Sequence, residues 1–424
     1  MIVVINSDAK IHDAILSSLL EAGIKANVLR FVSTEDNLID IVKFYFPEII
    51  IINLSDPRLN VEMVMTAINQ DRRFLSFGVI GVFSVGGKEE DQLVFKYRNS
   101  QIVTFLENYR IRTNLGMVVN IIKKNYQFVF QSDFANNIKD GCSGSILVEN
   151  DIQCVSSYTG IISTMLVSRG IIMPDDKMQL QLALEELIVN AIEHGNCSIT
   201  YDEKTKGMAE GKSVVDLVAE RNKDPQIAAK KVEVLWDIQK NQTVLSVIDQ
   251  GRGFDVKSHL DVLRRQDKFS FHGRGIKIAS SLVKEVRYNK KGNKVSLIFN
   301  NKNAEIQMPP GLMVGQPFNV KIGDVIIREG EESDCLFYII SGRYGVYVEN
   351  KYIDVITPDE IFMGEMAFIL NENRTATVVA ETSGKLVRID RKIFVRIVRE
   401  YPHYIMFLSR LITQRLLRRK TSFY

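Results

Sequence analysis

Glu186, Asn190 and Glu193 stand at i, i+4 and i+7 within Leu184-Glu185-Glu186-Leu187-Ile188-Val189-Asn190-Ala191-Ile192-Glu193-His194-Gly195-Asn196-Cys197. On a helix that spacing gathers carboxylates and a carboxamide on one face. The opposite positions, Leu187, Ile188 and Ala191, are apolar and seat such a helix on a core. Oxygen acceptors on a rigid helix suit a magnesium–nucleotide site, since magnesium takes oxygen ligands together with substrate phosphates. An ordinary amphipathic helix reads the same way in isolation. His194 is open between packing at the helix end and contact with phosphate.

Two glycine motifs follow in order. Asp249-Gln250-Gly251-Arg252-Gly253-Phe254 closes an apolar strand. An aspartate at a strand end accepts a hydrogen bond from an adenine amino group, and paired glycines let backbone approach the base. His272-Gly273-Arg274-Gly275-Ile276 precedes an apolar stretch, Lys277–Val286, read as a helix. Glycines ahead of a helix N-terminus turn amide donors toward phosphate. Further on, Glu365 opens a short helix and Arg374 stands nine residues later. A carboxylate suits ribose hydroxyls and a guanidinium suits a phosphate diester. A surface salt bridge is the alternative for that pair.

These residues need elements to hold them, and the chain is long enough for about three domains. Of its 424 residues, 46% are apolar and 25% charged, which are globular proportions. A net charge of +3 makes no electrostatic case for nucleic acid. Cys142, Cys154, Cys197 and Cys335 are scattered without metal-binding or disulfide spacing, which fits a reducing cytoplasm. No leader or long apolar run is read, so no membrane association is expected.

Residues 1–128 alternate strand candidates (Ile2–Ile5, Val28–Phe31, Glu48–Asn53, Gly78–Phe83, Ile102–Phe105) with helical stretches (His12–Ala22, Asp36–Phe44, Val61–Asn69). This predicts a doubly wound α/β sheet. Residues 132–303 begin with strand Ser145–Val148 and helix Asp151–Ser168. The motif helix starts after Pro174-Asp175-Asp176, a charged insertion over 202–231 carries one helix near Ser213–Arg221, and Val232–Ile238, Thr243–Ile248 and Lys294–Asn300 form antiparallel strands. Residues 308–424 are strand-rich with glycine turns, then helical from Arg391 to Arg418, which predicts a β-roll with C-terminal helices.

Three resemblances follow. The first block resembles the receiver domain of response regulators, with Asn53 at the position of the phosphorylatable aspartate. Asn6-Ser7-Asp8 replaces the usual acidic pair, Leu106-Glu107-Asn108 lacks the expected lysine, and Ser84 fills the hydroxyl position. An amide is no phosphoacceptor, so a pseudo-receiver used for contacts is expected. The second block resembles the histidine-kinase-type (Bergerat) ATPase, an α+β sandwich, in its anti-sigma-factor serine/threonine kinase branch. Glu186-xxx-Asn190-Ala191-xx-His194-Gly195, Asp249-x-Gly251-x-Gly253-Phe254 and Gly273-Arg274-Gly275 carry that resemblance, with Glu285-Val286-Arg287-Tyr288 and Gly292-Asn293 behind them. It implies Glu186 as general base, Asn190 as magnesium ligand and Asp249 as adenine reader. Gly251, Gly253, Gly273 and Gly275 would shape the ATP pocket, Arg274 and Lys277 would meet phosphate, and residues 254–272 would form a lid.

The third block resembles the cyclic-nucleotide-binding domain through Gly364-Glu365-Met366-Ala367 and Arg374-Thr375-Ala376-Thr377. The resemblance implies Glu365 on the ribose 2′-hydroxyl, and Arg374, Thr375 and the backbone at Gly364 and Ala376 on the cyclic phosphate, with cAMP favoured over cGMP. Asn373 and Met363 depart from the family pattern without removing a ligand. The combination predicts a bacterial cytoplasmic kinase of the anti-sigma type, regulated by cyclic nucleotide. Its expected partners are an anti-anti-sigma (STAS-type) protein and a sigma factor, with no direct nucleic acid and a homodimer as one option. The rival reading is a non-catalytic scaffold that binds ATP and cyclic nucleotide and switches partners.

Overall fold

The computed structural model describes residues 1–33, 47–70, 78–84, 102–125, 142–239, 241–256, 282–302 and 317–400, with isolated positions elsewhere. Two compact units form: one carries the N-terminal and central sheets, the other the two C-terminal sheets.

The N-terminal sheet joins β1 (Ile2–Ile5), β2 (Leu29–Val32), β3 (Ile49–Asn53), β4 (Gly78–Phe83) and β5 (Ile102–Glu107) in the order β2-β1-β3-β4-β5. Every pairing is parallel, and the order is the flavodoxin-like one. All residues of β1, β3 and β4 are buried, as parallel strands covered on both faces require. Helix α1 (Ala9–Glu21) starts where the Asp8 carboxylate accepts the Lys10 and Ile11 amides, and it stops before Gly23, whose φ is +80°. Helices α2 (Val61–Gln70) and α3 (Gly116–Lys124) follow. Most of the stretch read as helix Asp36–Phe44 lies outside the described residues.

The central sheet has the order β6-β7-β8-β10-β9, from β6 (Cys142–Glu149), β7 (Lys231–Ile238), β8 (Gln242–Ile248), β9 (Glu285–Tyr288) and β10 (Lys294–Asn300). Along β7 burial alternates strictly, the signature of a strand with one face on the core. Helices α4 (Val155–Ser168) and α5 (Lys177–Asn190) pack together, α5 following a short turn opened by Pro174. Two expectations need correction. The insertion holds three helices, α6 (Tyr201–Ala209), α7 (Val214–Arg221) and α8 (Pro225–Ala228), not one. The starts of α6 and α7 are set by capping boxes, Thr200 with Glu203 and Ser213 with Asp216, and that of α8 by the Asp224 carboxylate accepting the Gln226 amide ahead of Pro225, not by an apolar stripe. The helix read over Lys277–Val286 cannot reach Val286, because Glu285–Tyr288 pairs antiparallel with Val295–Ile298.

The C-terminal unit is a β-roll of two four-stranded sheets. One joins β11 (Pro317–Val320), β18 (Gly384–Asp390), β13 (Cys335–Ser341) and β16 (Phe362–Met363). The other joins β12 (Val325–Ile327), β17 (Thr377–Ala380), β14 (Tyr344–Val348) and β15 (Lys351–Ile356). Val320, Ile339, Tyr344, Met363, Val378 and Leu386 fill the space between them. Helix α9 (Glu365–Leu370) sits between β16 and β17, and α10 (Arg391–Glu400) follows β18. The continuation of α10 toward Arg418 lies largely outside the described residues. Among the described residues no helix is long and apolar enough to cross a membrane.

Candidate nucleotide sites

Helix α5 buries Leu187 and Ile188 and leaves Glu186 and Asn190 half-buried on its other side. The shared face proposed from spacing ends there. Residues Ala191–Asn196 continue as a wider π-type turn, which breaks the regular 100° advance per residue. Glu193 is thereby carried into the interior, 0% exposed, where its Oε2 lies 2.9 Å from Lys204 Nζ on α6. His194 donates from Nδ1 to the Ile199 carbonyl (2.7 Å) and places Nε2 3.4 Å from Glu193 Oε1. Both of its ring nitrogens therefore face protein groups.

The same π-type turn brings Gly195 against Asp249 at the end of β8. A Cβ on Gly195 would stand 2.6 Å from Asp249 Oδ1, so only hydrogen fits. Asp249 is held on three sides. Its amide donates to the Asn293 carbonyl (3.0 Å), its carbonyl accepts Asn293 Nδ2 (2.9 Å), and its Oδ1 accepts the Gly251 amide (2.7 Å). Burial pushes the Asp249 carboxyl up, against the opposing pull of the Gly251 amide and of Lys291 and Lys230. Gly251 lies on the Gly195 carbonyl, and Gly253, at φ +79°, lies on that of Lys291. The paired glycines are thus required by backbone-to-backbone approach.

Tyr288 on β9 completes the neighbourhood. Its phenol is pushed up by burial and then by the negative charge of Glu186, and its ring meets Phe254 edge-on with centroids 5.8 Å apart. A cavity of about 700 Å³ adjoins the loop, lined by Asn196, Lys230, Gln250, Gly251, Arg252 and Lys291 among others. Residue type and spacing do not mark Gly195, Asn196, Tyr288 and Lys291 as site residues by themselves. Gly195 had a signal, its place directly after His194 in the opening motif. Gly273, Arg274, Gly275 and Lys277 lie outside the described residues. Among those described, no three His, Cys, Asp or Glu side chains group to hold a metal ion. An amide oxygen such as that of Asn190, completed by phosphates and water, is the donor set magnesium accepts beside a nucleotide.

In the β-roll, Gly364 adopts φ +79° and launches α9, so Glu365 stands in its first turn, 5% exposed. Arg374, 6% exposed, reaches back to the same corner. Its Nη1 donates to the Gly364 carbonyl at 2.8 Å, and its Nη2 to the Cys335 carbonyl and sulfur. A Cβ on Gly364 would fall 2.5 Å from Arg374 Nη1. Turns at both ends fix the arginine backbone: its amide donates to the Glu331 carbonyl and its carbonyl accepts the Gly330 amide, each at 2.8 Å. Thr375 is exposed beside it, and Met366, Ala367 and Ala376 surround the corner as half-buried or buried positions. A buried guanidinium held by neutral carbonyls keeps its positive charge available to an anion.

Comparison with known proteins finds a domain family over each of the two regions. The histidine kinase-like ATPase domain family matches residues 155–299, and the cyclic nucleotide-binding domain family matches residues 317–401. The cAMP-dependent protein kinase type II regulatory subunit of Drosophila melanogaster is 46% identical over 79 residues, 19% of this chain and 21% of that protein. The cGMP-dependent protein kinase of Plasmodium berghei is 40% identical over 79 residues, 19% of this chain and 9% of that protein. The chain therefore spans only 21% and 9% of the length of these relatives. Among solved structures, the Thermus thermophilus catabolite activator protein is 21% identical, covering 26% of this chain and 53% of that one, with a TM-score of 0.24. The chain thus carries a histidine kinase-like ATPase domain and, after it, a cyclic nucleotide-binding domain.

Proposed function

We propose that this protein is a protein serine/threonine kinase of the anti-sigma type, governed by a cyclic nucleotide bound to its β-roll. The reading rests above all on Glu186 and Asn190, half-buried in the last turns of α5, directly before the turn that packs Gly195 on Asp249. That arrangement supports a nucleotide with its adenine amino group on Asp249 and its phosphates toward Asn190. Magnesium bound through Asn190 would neutralise phosphate charge. Glu186 would take the proton of an incoming serine or threonine hydroxyl, since phosphoryl transfer needs mainly positioning and charge stabilisation. Its partner would be an anti-anti-sigma (STAS-type) protein, with a sigma factor as a further partner.

The N-terminal sheet is read as a pseudo-receiver. At its switch end Asn53 Nδ2 donates to Asn6 Oδ1 (2.8 Å), and Asn108 Nδ2 donates to Ser84 Oγ (2.7 Å). Amides stand where phosphoryl chemistry needs a carboxylate and an ammonium. For the β-roll, Arg374 and Glu365 support a cyclic phosphate and a ribose, and cAMP is the favoured ligand. The test is ATP-dependent phosphate transfer to a purified STAS-type protein, with and without cAMP or cGMP, using wild type, Glu186→Gln and Asn190→Ala. Transfer abolished in both variants and altered by one cyclic nucleotide is expected. Transfer undiminished in the variants would reject the assignment, and ATP binding without turnover would favour a scaffold.

A further inference from the structure

In α4 the seven consecutive residues Ile161–Val167 are all buried, Ser163 and Thr164 among them. Seven residues make two full turns, so every side of the helix is covered. A helix lying on one sheet buries a single stripe and exposes the rest. Here α5 covers one side and strand β5 of the N-terminal sheet packs on another. The contact is continued by Ser157 Oγ, which lies 3.5 Å from the sulfur of Met117 on α3.

The N-terminal sheet shows the matching feature. Strand β5 is an edge strand, yet Ile102–Leu106 are all buried. An exposed apolar edge is a liability that folds cover. Each partner thus hides what the other cannot leave open. The two helices beside the N-terminal sheet, α1 and α3, are also tied to each other, through the Gly116 amide to Ser18 Oγ (3.1 Å) and Asn120 Nδ2 to the Ala22 carbonyl (3.1 Å). Its switch end is closed by the amide pairs described above.

We propose that the N-terminal sheet is a permanent structural layer of the ATPase. It covers the outer face of α4 in cis and, through α4, holds α5 with Glu186 and Asn190 in place. That face of α4 is consequently occupied and is not offered to a second copy or to a partner. The sheet then serves as a brace and not as a receiver of a phosphoryl signal. The part of the proposal that concerns ATP rests on the nucleotide reading of α5; the part that concerns α4 does not.

Trp236, the only tryptophan, is buried on β7 and reports on the central sheet alone. The experiment compares full-length wild type, Met117→Glu and, as a control on the same segment, Arg112→Glu, whose parent side chain is exposed. Urea unfolding is followed by Trp236 fluorescence, amide exchange is read in α4, and ATP affinity is measured by calorimetry. Met117→Glu is expected to lower the Trp236 midpoint by about 0.5 M urea or more, to speed exchange in residues 155–168 at least tenfold, and to weaken ATP at least tenfold. Arg112→Glu should leave all three unchanged. If Met117→Glu does not fold, Met117→Ala and Ser157→Ala supply the same readouts at smaller amplitude. A Trp236 midpoint and α4 exchange equal to wild type in these variants would overturn the brace. If wild type binds no ATP, the nucleotide reading fails, and the Trp236 and exchange readouts still decide the brace.

Discussion

Replacing Gly195 by alanine tests the packing that the proposed ATP site depends on. The new methyl would stand 2.6 Å from Asp249 Oδ1 and 2.8 Å from Asp249 Cβ. Non-bonded carbon atoms settle near 3.5 Å, so one side must retreat by roughly 0.7–1 Å. Asp249 resists, because Asn293 grips its backbone at both amide and carbonyl and Gly251 grips its side chain. Forcing a methylene-sized group into a packed site costs about 1–3 kcal/mol. A displacement of about 1 Å in a positioning group costs on the order of 100-fold in function. Gly195→Ala should therefore weaken ATP binding roughly 30- to 100-fold, about 2–2.7 kcal/mol at 1.4 kcal/mol per tenfold. Calorimetric titration with a non-hydrolysable ATP analogue reads this directly. Gly160→Ala on α4 is the control: nothing lies within 4 Å of its added Cβ, and helix propensity favours alanine by about 0.5–1 kcal/mol. ATP affinity within twofold of wild type in Gly195→Ala would refute the claim that Gly195 sets the position of Asp249.

Asp249→Asn should abolish measurable ATP binding and yet stabilise the fold at neutral pH. Folding raises this carboxyl above its ordinary 3.8, mainly through burial, so the charged form opposes folding and the stability Asp249 contributes below its unfolded pKa is lost as pH rises through the folded one. The stability advantage of Asn over Asp should grow with pH across the acid range and level off by neutrality; an advantage independent of pH in urea titrations would contradict it. Asp56 carries the opposite sign. Burial would raise it, but hydrogen bonds from the Ser7 amide and hydroxyl and from the Arg58 amide win and hold it low, so its contribution should fade as pH falls and Asp56→Asn should destabilise most near neutral pH. Gly364→Ala and Arg374→Lys should each weaken cyclic nucleotide binding at least tenfold without touching ATP affinity, since the first crowds Arg374 and the second loses the planar fork; equilibrium dialysis with both ligands checks this. Cys335, buried and pushed up to about 11, should resist iodoacetamide at pH 8 in the folded protein; rapid alkylation mapped to Cys335 would show its corner to be open.

Much of this protein is written locally. The parallel strands of the N-terminal sheet announce themselves as short apolar runs, because a strand buried on both faces has no polar side to display. Asp249-x-Gly251-x-Gly253 and the stretch from Gly364 to Arg374 are legible because ligand chemistry and backbone approach both demand particular residue types at short spacing. The helices of the insertion are hard to read from sequence, since the starts of α6 and α7 depend on reciprocal side-chain caps in charged sequence and not on apolar periodicity. Spacing alone puts Glu193 on the face of Glu186, because nothing in residue type marks a π-type turn.

Residue types and spacing by themselves determined which side chains are the candidates for the chemistry: Glu186 and Asn190 on one helix, Asp249 at a strand end, Glu365 and Arg374 around one corner. Only the tertiary structure decided what surrounds them. It turned Glu193 inward to Lys204, set Gly195 against Asp249, brought Tyr288 within the field of Glu186, and enclosed α4 between its own domain and β5. The physical reason is that chemistry is a property of side chains and short spacings, whereas burial, crowding and charge coupling depend on elements distant in the chain that meet only when the core closes.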